Sequence, residues 1–106
     1  MAARDEHGHP DRDDILLGEV LAALADPHRR YVVATLALLP ADTERTCASF
    51  NLPVGKASLT HHFRVLRHAG LVRQVDRGNS RTAKLRFEDL ESRFPGLLAI
   101  VAADLS

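Results

Sequence analysis

The chain has 106 residues, 45% of them apolar and 26% charged, the size and make-up of a single globular domain. Its formal net charge is zero, its one cysteine, Cys47, excludes an intrachain disulfide, and its longest apolar stretch, 31–40, is too short to span a bilayer. A polar, acidic N-terminus unlike a secretory signal, together with that lone thiol, makes the cytoplasm the expected compartment.

Residues 1–12 are rich in charge, His, Gly and Pro without apolar periodicity, and read as a flexible N-terminal arm. The domain proper is expected over 13–106. Ile15, Leu16, Val20, Ala23 and Leu24 recur at helical spacing, with Asp13 and Asp14 suited to the first turn. Asp26-Pro27 supplies a cap and a first-turn proline for a second helix carrying Tyr31, Val32, Thr35, Leu36 and Leu39, stopped by Pro40. Residues 41–50 are expected to form a short third helix with Cys47, Ala48 and Phe50 as its packing residues. The turn Asn51-Leu52-Pro53-Val54-Gly55 follows, then a fourth helix from about Lys56 to Ala69, with Leu59, His62, Phe63 and Leu66 on one stripe and Gly70 as its stop.

Two alternating runs, 71–75 and 81–87, flank a turn at Gly78-Asn79 and predict a β-hairpin. Residues 88–106 read as helical, broken at Phe94-Pro95-Gly96, and 97–102 is too apolar for a helix solvated on all sides. The fold expected is mostly α with a two-stranded β-wing: four helices, two strands and a last helix, a winged helix-turn-helix.

The zero net charge hides a strong asymmetry. Between Lys56 and Arg86 stand eight Lys or Arg against one Asp, a local +7, while the flanking thirds are acidic. Such clustering is the footprint of a polyanion binder. On the fourth helix Lys56, Ser58, Thr60, His61 and Arg64 lie off the apolar stripe, toward the end that enters the major groove in a helix-turn-helix. Arg64 suits bidentate contact to guanine, Thr60 and His61 suit base edges, and Lys56 and Ser58 suit phosphates. Arg77 and Arg81 flank the wing tip and suit the minor groove or an adjacent phosphate. A merely solvated basic face is the plainer alternative for each taken singly.

Two stretches resemble a known family. Leu24-Ala25-Asp26-Pro27-His28-Arg29-Arg30 resembles the "LadptRl" opening of ArsR-type (arsenic-repressor-type) winged-helix regulators. The stretch from Ala57 to Val72 is similar to that family's "stvSrHLkvLreaGLV" signature. The resemblance covers about 14–87. It implies a homodimer joined through the first and last helices, a near-palindromic duplex DNA operator and a repressor released by an effector, whose identity the sequence leaves open.

Two departures bear on metal sensing. The family's Cys-x-Cys pair is here Thr46-Cys47-Ala48-Ser49, with one thiolate, and 90–106 holds Asp104 but no His. An irregular site from His7, His9 and Cys47 would require ordering the arm, and an ordinary polar tail is favoured. No metal and no cofactor are expected. Cys47 as a redox sensor lacks a resolving thiol. No nucleophile elbow or phosphate loop is present, so no enzyme is expected. The competing function is a winged-helix protein–protein interaction module that does not bind DNA.

Overall fold

The structure, a computed structural model, describes residues 5–105. Residues 1–4 of the expected arm and Ser106 lie outside the described residues. Five α-helices surround a small sheet: α1 (Leu17–Ala25), α2 (Pro27–Ala37), α3 (Lys56–Ala69), α4 (Phe87–Arg93) and α5 (Leu97–Leu105). The strands are β1 (Glu44–Thr46), β2 (Val72–Asp76) and β3 (Arg81–Leu85), antiparallel in the order β1-β3-β2.

The corner between α1 and α2 is built by one tripod of polar side chains. Asp26 caps α2, its carboxylate accepting the amides of His28 and Arg29 at 2.8 and 3.1 Å. The two arginines that follow turn back onto the carbonyls that α1 leaves unpaired at its end. Arg29 donates to Ala23 O at 2.8 Å, and Arg30 donates to Leu24 O at 2.9 Å and to Asp104 of α5 at 3.0 Å. The motif Asp-Pro-His-Arg-Arg thus starts one helix and finishes its predecessor.

The core gathers Val20, Ala23 and Leu24 of α1, Val32, Val33 and Leu36 of α2, and Phe63 and Leu66 of α3. Val72, Ala83 and Leu85 of the hairpin and Leu98 and Val101 of α5 complete it. Gly70 ends α3 at φ 90, and a Cβ there would lie 2.6 Å from Ile15, so glycine is required by conformation and by space alike.

Two expectations are corrected. Residues 41–50 are not a helix. Glu44, Arg45 and Thr46 pair with Lys84, Ala83 and Thr82, and only Cys47–Phe50 turns, as a 3-10 helix. The free edge of β3 offers this segment a ladder that local propensity could not announce, and Arg45 fixes the exit by donating to Ser49 Oγ at 3.1 Å and to Ser49 O at 2.8 Å. The wing hairpin, β2 and β3, is therefore part of a three-stranded sheet in which β3 is the central strand.

The second correction concerns residues 5–12, expected as part of a flexible arm. They fold back onto the hairpin: His9 is 5% exposed, Pro10 is fully buried, and Arg86, itself buried, donates to Pro10 O at 2.7 Å. A short 3-10 turn, Arg12–Asp14, then leads to Ile15, and Arg12 pairs with Asp89 of α4 at 2.7 Å.

Candidate nucleic-acid interface

Helix α3 buries His62, Phe63, Leu66 and Ala69 and half-buries Leu59, which aims its other side outward. All five helix residues singled out from the sequence, Lys56, Ser58, Thr60, His61 and Arg64, are exposed. Lys56, Thr60 and Arg64 stand four apart along one line of the helix. The helix begins at Gly55 with no side-chain cap, so its first amides are left to an external partner or to water.

The hairpin turn is set by Asp76, whose carboxylate accepts the Gly78 amide at 2.9 Å, with Gly78 at φ 85. Behind the tip the two wing arginines part company. Arg81 is exposed and takes part in no ion pair among the described residues. With Lys56 and Thr60 it lines a groove of about 260 Å³ between α3 and the wing. Arg77 instead grips Glu44 of β1 with two bonds, at 2.9 and 2.7 Å, and this guanidinium holds the Glu44 carboxyl below its usual range. The structure brings Lys56, Thr60 and Arg81 to one groove. It places His61 and Arg64 on the adjoining side of α3, beside α1, and ties Arg77 elsewhere.

Sequence reasoning passed over Arg67 and Gln74. The Gln74 side chain joins three elements: its Oε1 accepts from Arg67 Nη1 of α3, and its Nε2 faces Cys47 Sγ at 3.5 Å. Arg67 keeps its Nε buried without a partner among the described residues. Burial and the nearby guanidiniums of Arg81 and Arg64 push its pKa down. Arg67 is half-buried between helix and wing, with Arg81 on the wing and Arg64 one turn earlier on α3, an arrangement that an approaching anion would relieve. Spacing gave one signal for this contact, since Arg67 stands four residues after the stripe residue Phe63.

His62 faces inward. Its Nδ1 meets Arg29 Nη1 at 3.2 Å, and burial, only partly offset by Asp26, pushes its pKa down, with Arg29, His28 and His61 adding to the effect. The neutral ring thus accepts from Arg29 and ties α3 to the α1–α2 corner. Burial pushes the Cys47 thiol up, so at neutral pH it is a protonated, packed thiol and a poor metal ligand or redox nucleophile.

The sequence matches no family model, and no curated relative matches it. Solved structures do match in fold. An ArsR family transcriptional regulator superposes with a TM-score of 0.64 at 24% identity, covering 85% of this chain and 97% of that one. The transcriptional repressor BigR from Xylella fastidiosa gives a TM-score of 0.62 at 20% identity over 85% of this chain and 86% of BigR. An ArsR-like transcriptional regulator from Rhodococcus sp. RHA1 gives 0.55 at 26% identity, covering 82% of this chain and 80% of its own. The chain therefore has the ArsR-type winged-helix fold, and the neighbours that share it are transcriptional regulators, not enzymes. No helix among the described residues is long and apolar enough to cross a membrane.

Proposed function

We propose that this chain binds double-stranded DNA sequence-specifically and regulates transcription, as a homodimeric repressor acting in the cytoplasm. The observation that carries the reading is the exposed row Lys56, Thr60 and Arg64 on α3 beside the exposed Arg81 of the wing, with Lys56, Thr60 and Arg81 lining one groove. Like charges held this close are stabilised by phosphates, whose neutralisation also releases counterions from the duplex.

In this reading Arg64, Thr60 and His61 meet base edges, Lys56 and Ser58 meet phosphates at the α3 N-terminus, and Arg81 carries the wing contact. Arg77 contributes less, because it must first leave Glu44. The second copy is supported by apolar exposure: Leu17 and Leu21 on α1 and Ile100 and Leu105 on α5 stand open to solvent. A two-fold dimer through these helices presents two α3 copies to successive grooves of a near-palindromic operator.

The test is titration with random-sequence duplex DNA at low and at higher salt, followed by selection of the preferred sequence. Binding that falls steeply with salt, with a preferred site emerging from the selection, is the expected result. Salt-independent or absent binding overturns the reading in favour of a protein-interaction module, for which the exposed apolar residues of α1 and α5 would be the docking face.

A further inference from the structure

The N-terminal segment is built into the wing with more care than a cover requires. The Asp5 carboxylate accepts the amides of His7 and His9, both at 2.9 Å, and also meets His9 Nδ1 at 2.9 Å. Burial works against its charge, but the two amides and the imidazole outweigh this and hold the carboxyl at about 2. The other ring nitrogen, His9 Nε2, accepts the backbone amide of Gln74 at 3.1 Å. Gln74 lies on β2, the outer strand of the sheet, and its side chain holds Arg67 of α3. Gly8, at φ 88, sits so close to α3 that a Cβ would lie 2.5 Å from His68 Nε2. One continuous chain of contacts thus runs from Asp5 through His9 and Gln74 to Arg67, beside Arg64 and Arg81.

We infer that His9 is a positioning residue for the DNA interface: its neutral ring latches the N-terminal segment to the wing strand and so holds Gln74 and Arg67 in place, and protonation of the ring opens the latch and weakens DNA binding. The inference rests on the DNA-binding reading above. The chemistry is that of a single nitrogen. Nε2 can accept the Gln74 amide only while it carries no proton, and a protonated ring would set two donors against each other.

The groups facing the ring are Asp5 and the edge-on ring of His7 on its own segment, Arg73 of β2 and Arg67 of α3. Burial pushes the His9 pKa down, Asp5 opposes this, and Arg73 and Arg67 add to it. A depressed value in the folded protein means that the latch is intact above the ordinary histidine value of about 6.5 and is lost as pH falls through the lower, folded value.

Acidification also makes the protein as a whole more positive, which strengthens attraction to DNA. The informative quantity is therefore wild type against His9→Gln, which carries no proton at either pH. Duplex affinity is measured for both at about pH 7.5 and about pH 5.5, on either side of the ordinary histidine range. Wild type is expected to lose affinity relative to the variant at the lower pH, in proportion to the fraction of molecules whose latch has opened. The Gln74 amide resonance of the wild type needs no variant at all. It is expected to move over the same interval, with a midpoint below about 6.5. A Gln74 resonance that stays put, or equal pH slopes for the two proteins, overturns the latch alone. Absence of duplex binding at either pH overturns the DNA reading together with it.

Discussion

On α3 and the wing most exposed side chains are cationic or polar, whereas on α1 and α5, Glu19 and Asp104 apart, they are aliphatic. The first surface costs the monomer little, since a guanidinium in water is well solvated, so exposure alone is weak evidence of a partner. There the telling fact is that burial, with Arg81 and Arg64 adding to it, pushes the Arg67 pKa down. The second surface is different, because apolar area left in water forfeits about 25 cal/mol per Å² that burial would recover. Ile100, 71% exposed on a helix whose Leu98 and Val101 are core, is more informative about a partner than any single arginine on the opposite surface. A surface's energetic cost, and not its charge alone, indicates how strongly it calls for cover.

Five substitutions break or sharpen this contrast. Ile100→Glu is expected to have the largest effect. An unpaired charge forced into an apolar interface costs about 3 kcal/mol or more, over a hundredfold in association. Light scattering on an eluting column should show a folded monomer, its melting temperature lowered because association no longer stabilises the native state, and a persisting dimer would remove α5 from the interface. Arg64→Ala is expected to cost roughly 1–3 kcal/mol and to relax preference at one base pair. Uniform weakening across a panel of single-base operator variants would make Arg64 a phosphate contact instead.

Asp26→Ala touches neither surface. Loss of the cap is expected to cost about 1 kcal/mol of stability, visible in thermal unfolding, while the salt slope of DNA binding stays the same. The smallest effects belong to the wing. Arg81→Ala should lower the salt slope by about 1, since one phosphate contact is lost. Arg77→Ala should leave the slope in place because Glu44 already neutralises that residue. Equal slopes for these two variants would show that Arg77 leaves Glu44 when DNA arrives.

What the sequence showed follows from how local each interaction is. Helix α3 was legible because Leu59, His62, Phe63 and Leu66 repeat the helical period within its own 14 residues. The hairpin was legible because its two strands are joined by one tight turn. Strand β1 was not, because its partner β3 lies far along the chain: Glu44 needs Lys84 before either edge has a ladder. The N-terminal latch was hidden for a related reason, as His9 and Pro10 carry no periodicity and their partners Gln74 and Arg86 lie far along the chain. The site followed the same rule. The exposed face of α3 could be read from the apolar face it leaves over, whereas the capture of Arg77 by Glu44 required the sheet that brings them together.

The paired arginines at the α1–α2 corner have a mechanical consequence. Arg29 and Arg30 both anchor on the end of α1, but they reach outward to different elements, Arg29 to His62 on α3 and Arg30 to Asp104 on α5. They act as two braces splayed from one post, so opening the corner stretches hydrogen bonds on both sides at once. A joint braced in this way behaves as a bracket and not as a hinge: α1, α3 and α5 share one angle, and a strain applied to any of them is a load on all three.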